Sequence, residues 1–274
     1  MDFISREKIQ KETDVFIGTP DCLNENLSIT INHPKAINIY NLNSEYDNPL
    51  YVYTYGENLV LFKDKIDLLK NRFILISNND DTNIYDNELY RYIANHPKII
   101  KWYSQNVILD HPKLEMIPIG LANSKWKHGN LENINKAYLD LKANNIQKIN
   151  KIYFYFTIET NKEKRLDCYL KLKDVLEISE KKKEEDYFNY LATFKFGICP
   201  EGNGIDSHRL WECFYLKVIP IVLNNPFIEK VKNKYNLPMI ILNDWNELKD
   251  IKLEYNDFDN SILDFQKLKK EIFI

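Results

Sequence analysis

The sequence predicts an α/β protein made of two successive units, each a mainly parallel sheet with covering helices. Three observations carry this. The chain has 274 residues, enough for two modest cores. Short β-rich apolar runs alternate with longer amphipathic ones, the order expected of βα units. The alternation is interrupted once, by a lysine- and asparagine-rich stretch at 126–150, and then restarts. Expected domains are 1–140, 141–258 and a closing helical segment, 259–274.

In the first half, strands are expected at 14–18, 37–41, 59–62, 72–77, 98–103 and 115–120, with helices at 63–71 and 84–94. Residues 126–150 read as a polar helix followed by a linker. The second half predicts strands at 151–156, 174–179, 195–199, 218–223 and 238–242. Between and after them fall helices at 161–171, 184–193, 207–217, 227–235 and from 244, and the amphipathic segment 264–273 closes the chain. The Lys/Glu run 180–185 fits a solvated helix entry.

Composition narrows the functional classes. With 44% apolar and 28% charged residues and 18 tyrosines, the chain has the profile of a folded, soluble protein. A formal charge of -3 gives no global attraction to nucleic acid or anionic lipid, so any anion site must be local. Cys22, Cys168, Cys199 and Cys213 are dispersed, without zinc spacing, which fits a reducing compartment. No signal-like apolar segment opens the sequence, and no apolar run approaches the ~20 residues that span a bilayer. A cytoplasmic protein with no integral membrane segment is expected.

The chemistry concentrates in "CPEGNGIDSHRLWE", Cys199 to Glu212. The chain has only 7 glycines in 274 residues, against a usual share of about 7%. Gly197, Gly202 and Gly204 nevertheless cluster here, between an apolar strand and a helix beginning near Ser207. Strand, glycine-bearing turn and helix N-terminus together make an anion site, because the first-turn N–H groups and the helix dipole face outward. Arg209 sits in the first turn, where the dipole prefers acids, which points to a phosphate partner. Glu212, one turn deeper, is placed to accept from ribose hydroxyls. The same residues also fit a plain Arg209–Glu212 intrahelical pair and a tight turn, with Glu201 and Asp206 as caps and His208 as a structural histidine. GxGxxG is absent, which disfavours a dinucleotide cofactor.

The stretch "FGICPEGNGIDSHRLWECFYLKVIPIV" (196–222) resembles the core of exostosin-like glycosyltransferases and related viral and bacterial GT-B-fold sugar transferases, and its donor motif is similar to that of fucosyltransferases. "KIYFYFTIETNKEKR" (151–165), "NHPKIIKWYSQNVILDHPKLEMIPIGLANSKWKHG" (95–129) and "LISNNDDTNI" (75–84) extend the resemblance. It departs from the family at Lys217, where glycine is more usual, and at Asn78, where histidine is more usual. The resemblance implies a GT-B-like α/β fold: two Rossmann-like domains with a cleft between them, the donor on the C-terminal one.

Joined to that resemblance, the residues predict an inverting transfer of a sugar from a nucleotide-diphosphate donor to a hydroxyl of a glycan-type acceptor. Charge building on the β-phosphate calls for Arg209, the backbone from Gly202 to Ser207 including Asn203 and Gly204, and Arg165 or Lys164 beside Asn161. Glu201, Asp206 and His208 complete the donor-side candidates. Thr160 and Glu163 have capping-box spacing for the helix that carries Arg165. Asp81 is the expected catalytic base and Asp80 its rival. Asn106, Asn123 and His128, with Trp126, are expected on the acceptor side. Asp257 and Asp259 form a DxD, but beyond the last expected strand, so neither metal nor cofactor is expected. The alternative is a nucleotide- or sugar-binding module without turnover.

Overall fold

The computed structural model describes residues 1–28, 33, 35–43, 49–124 and 126–273. The chain divides into two compact units, one comprising Ile4–Ile119 with the chain from Leu268 onward, the other Met1–Phe3 with Gly120–Lys267. Residues 120–140, assigned to the first domain from sequence, are thus grouped with the second unit. Each unit contains one all-parallel sheet, of six and four strands, so the α/β class is realised in both.

In the first unit the strands are β1 (Val15–Gly18), β2 (Ala36–Asn38), β3 (Tyr51–Thr54), β4 (Phe73–Ser77), β5 (Ile99–Ser104) and β6 (Leu114–Met116). Their order is β2-β1-β3-β4-β5-β6. The chain leaves β1 to one side for β2 and returns on the other side for β3, which makes the β1/β3 boundary a topological switch point. Helices α1 (Arg6–Lys11), α2 (Pro20–Ser28), α3 (Leu59–Lys63) and α4 (Glu88–Asn95) belong to this unit.

The expected strand at 59–62 is α3. Leu59 and Phe62 are fully buried while Val60 and Leu61 face outward, an i, i+3 pattern that a short apolar run conceals. The strand of this region is instead β3, buried along its whole length between β1 and β4. The helix expected at 63–71 is reduced to the end of α3 and a 3-10 turn at Ile66–Leu68. Neither α1 nor α2 was expected.

The second unit runs α5 (Leu131–Lys142), β7 (Ile149–Tyr153), α6 (Lys162–Leu172), α7 (Glu184–Ala192), β8 (Phe194–Ile198), α8 (His208–Tyr215), β9 (Ile219–Leu223), α9 (Pro226–Tyr235) and β10 (Ile240–Leu242), in sheet order β10-β9-β8-β7. Strand alternation divides its core. Phe196, Ile198, Ile219 and Ile221 pack with Phe154, Cys168, Leu172 and Trp245 in one cluster. Gly197 faces α8, where a Cβ would come 3.0 Å from Cys213 Sγ. Segment 174–179 is not a strand. It meets the sheet through Ser179, whose N–H donates to Phe154 O at 2.9 Å, while Val175 and Ile178 stay exposed. The helix expected from 244 is a 3-10 segment, Trp245–Asp250. Helix α10 (Phe265–Ile272) closes the chain, and residue 274 lies outside the described residues. Among the described residues no helix is long and apolar enough to cross a membrane.

Candidate functional site

In the second unit the candidate donor residues gather around the loop 199–207, which leaves the carboxyl end of β8 and enters α8. Ligands collect at that edge of parallel sheets. Cys199 N–H continues the ladder to Ile221 O at 2.9 Å, and from there side chains pin the loop. Arg165 Nε donates to Glu201 O at 2.9 Å, and Asn161 Nδ2 donates to Gly202 O at 2.6 Å. Asn225 Nδ2 donates to Glu201 Oε1 at 3.1 Å, and Trp211 Nε1 donates to the buried Asp206 Oδ1 at 2.7 Å. Asn203 stays exposed between these fastenings.

Asn161, not Thr160, caps α6: its Oδ1 accepts from Lys164 N at 3.3 Å. The Thr160–Glu163 capping box is therefore corrected by one residue. The amide outcompetes the hydroxyl because its two ends serve two elements, the oxygen capping α6 and the nitrogen holding the loop. Ser207 is the N-cap of α8 in extended conformation, with no side-chain hydrogen bond to the first turn. Among the described residues Gly120 has the one positive-φ glycine backbone, φ 63°. The loop glycines are thus not required by left-handed geometry. A Cβ on the buried Gly202 would meet nothing closer than 3.6 Å, an ordinary contact, so space does not require glycine there.

Arg209 is held from several sides. Its guanidinium lies over the Tyr153 and Tyr187 rings at 4.9 and 5.3 Å, and one terminal nitrogen donates to Tyr155 O at 3.0 Å. Nε faces Glu212 Oε2 at 3.4 Å, and that oxygen accepts from Tyr187 O–H at 2.6 Å. Burial alone would lower the arginine's pKa, but Tyr187, Tyr153 and Glu212 reverse this and hold it well above the ordinary value. Burial, and then the nearby Arg209 charge, push the Arg165 guanidinium down to about 10. Two guanidiniums close enough to repel favour an anion between or beside them.

His208 Nδ1–H donates to Gly120 O at 2.8 Å, which fixes the ring orientation. A cavity of about 160 Å³ opens beside the loop, lined by Lys164, Cys199, Glu201, Ser207, Asn225 and Trp245 among others. Glu201, Ser207 and Lys164 therefore share one concavity.

In the first unit Asp80 and Asp81 follow β4 through Asn78 and a left-handed Asn79, φ 75°. Asp80 accepts from Glu57 N–H, from Thr82 N–H at 3.1 Å and from Thr82 O–H at 3.1 Å. Burial raises its pKa to about 6 despite those donors. Asp81 is exposed. Asn106 is fully buried with φ 53°, and its carbonyl accepts from Ile84 N–H at 2.9 Å.

Asn123 and His128 belong to the second unit. A Cβ on Gly129 would lie 1.9 Å from Asn123 O, so glycine is obligatory at that turn. His128 stacks on the half-exposed Trp126, with ring centroids 6.3 Å apart. Asp257 pairs with Lys217 at 2.8 Å and Asp259 accepts from Ser261. Among the described residues no group of three His, Cys, Asp or Glu side chains is placed to hold a metal.

Sequence reading missed Tyr153, Tyr187 and Asn225. Tyr187 lies on α7 and Tyr153 ends β7, and nothing in either local sequence signals an arginine partner from α8. No protein-family model matches the chain, and no curated protein matches it significantly.

Proposed function

We propose that the chain is a glycosyltransferase of the GT-B-like, exostosin-related class, moving a sugar from a nucleotide-diphosphate donor to an acceptor hydroxyl with inversion. The observation that carries this reading is the paired Arg209 and Arg165 at the carboxyl edge of the four-stranded sheet. Arg209 is prepositioned by two tyrosine faces, a carbonyl and a carboxylate.

In that reaction the bond from the anomeric carbon to the β-phosphate oxygen breaks, and charge collects on the departing diphosphate. A cation already held in place stabilises that charge without reorganisation. Arg209 supplies it. The uncapped first turn of α8 and the loop backbone leading into it add N–H donors, and Arg165 shapes the loop while raising the local positive potential. Glu212 aligns Arg209 through Oε2, leaving Oε1 for a ribose hydroxyl. The acceptor hydroxyl loses its proton as it attacks, and Asp81, exposed on the loop after β4, takes it.

Isothermal titration with UDP and GDP, beside a turnover assay over a panel of nucleotide sugars, tests the reading. Wild type should bind at least one nucleotide and consume its sugar conjugate. Asp81→Asn should lose turnover by 100-fold or more with nucleotide affinity unchanged. Tight binding without hydrolysis or transfer would instead make the chain a binding module. Absence of any nucleotide affinity would remove the reading altogether.

A further inference from the structure

We propose that the first unit contains a separate oxyanion site centred on Arg6, which takes a carboxylate or phosphate group of its ligand. Arg6 is the first residue of α1 and is 8% exposed, yet its Nε has no hydrogen-bond partner. A buried guanidinium short of acceptors is costly, and proteins rarely retain one without a partner. The phenolic and acidic groups that act on its charge are Tyr53, Asp81, Asp80 and Tyr55. Tyr53 is fully buried, and its hydroxyl also has no partner. Arg6 Nε and the Tyr53 hydroxyl, both buried and both without an acceptor, thus belong to neighbouring side chains.

Topology places them where ligands bind. Tyr53 is the last but one residue of β3, Tyr55 follows that strand, and Asp80 and Asp81 follow β4, so the group sits toward the carboxyl edge of the six-stranded sheet. The β1/β3 switch point is at the same edge, and α1 leads into β1. Tyr53 and Tyr55 are mutually packed, with ring centroids 6.3 Å apart, and both contact Phe16 of β1.

The charges of Asp81 and Asp80 favour the cation, but neither carboxylate accepts a hydrogen bond from Nε. The oxygens of Asp80 are occupied by Glu57 and Thr82, and Asp81 is exposed. What Arg6 Nε and the Tyr53 hydroxyl lack is an acceptor, and an acceptor that also compensates a buried positive charge is an oxyanion. Under the transferase reading, on which this last step rests, the site selects acceptors that carry an acidic group near the reacting hydroxyl.

The test titrates inorganic phosphate and, in a separate arm, glucuronate into Arg209→Ala protein, so that the second-unit anion site does not contribute. Saturable binding of one or both is expected, and which arm responds distinguishes a phosphate from a sugar carboxylate. Adding Arg6→Gln should weaken it at least 10-fold, and Tyr53→Phe severalfold, while Arg6→Lys retains most of it. In the absence of probe, Arg6→Gln should leave the thermal midpoint unchanged or raised, whereas a structural arginine would lose stability. No saturable binding in either arm, or unchanged affinity in Arg6→Gln, overturns the site. Failure of UDP and GDP to bind wild type would sink the transferase reading alone and leave Arg6-dependent binding standing.

Discussion

Two arginines withdrawn from solvent, one in each unit, are compensated to different degrees. Arg209 is surrounded by protein partners: two tyrosine rings, the Tyr155 carbonyl and Glu212. Nε makes no hydrogen bond in either residue, but at Arg209 it faces Glu212 Oε2 at 3.4 Å, whereas at Arg6 it is buried near the Tyr53 hydroxyl, which also lacks a partner. A cation whose partners are built in is oriented before ligand arrives, which suits charge that develops during reaction. A cation lacking an acceptor is completed by what binds. The largest expected effect therefore follows removal of Arg209. Arg209→Ala should weaken UDP or GDP binding about 100-fold or more, measured by titration calorimetry. Arg209→Lys should restore little, because an ammonium cannot stack flat between Tyr153 and Tyr187 while reaching both Tyr155 O and Glu212.

The first unit shows what burial costs when compensation is partial. Asp80 keeps three donors yet titrates near 6, so its ionised form is disfavoured in the fold. Between about pH 4 and 6 the native state binds more protons than the unfolded chain, so this group's contribution makes stability decline as pH rises through that window. The decline should amount to about 2–3 kcal/mol at most. Denaturant midpoints from pH 4 to 7 should show it in wild type, and Asp80→Asn should flatten it. An unchanged profile in the variant would assign the slope elsewhere.

A smaller effect tests how Arg209 is held. Tyr187→Phe keeps the ring against the guanidinium but removes the hydroxyl that Glu212 accepts. It leaves a buried carboxylate oxygen with one donor fewer, expected to cost about 1–2 kcal/mol in urea unfolding. Nucleotide affinity should fall severalfold, less than for Arg209→Ala. If stability falls and affinity does not, Tyr187 supports the core rather than the cation.

Legibility from sequence followed the range of the interactions. Much of the second unit was readable because most of its strands and helices carry their own signal, such as Asn225-Pro226 capping α9. The apolar run 174–179 and the segment from 244, by contrast, suggested a strand and an α-helix that do not form. The loop 199–207 was readable because glycine clustering and a misplaced arginine are local anomalies. Tyr153 and Tyr187 were not, because their relation to Arg209 exists only after β7, α7 and α8 pack. Arg6 was invisible for a similar reason: an arginine near the start of a polar helix looks solvated until α1 is laid beside β3. The 59–62 segment misled because four apolar residues fit either period, and the buried pair Leu59 and Phe62 chose the helical one.

Lys217 is where one local departure from the expected motif acquires a physical explanation. It follows α8 with φ 53°, and Val218 N–H donates to Cys213 O at 2.8 Å across it. That left-handed position favours glycine, which avoids the Cβ contact with the carbonyl that other residues incur there. What lysine adds is an ion pair with Asp257 at 2.8 Å, whose acidic partner is 63% exposed. Such pairs contribute little. The hydrogen bond from Tyr255 O–H to Lys217 O uses the backbone and survives substitution. Lys217→Gly should therefore stabilise by about 0.5–1 kcal/mol, with the entropy of a freer unfolded glycine taking part of the relief. Because the turn ends the helix that carries Arg209, the thermal midpoint should rise while nucleotide affinity stays as in wild type. A fall in the midpoint would mean that the Asp257 pair outweighs the backbone strain.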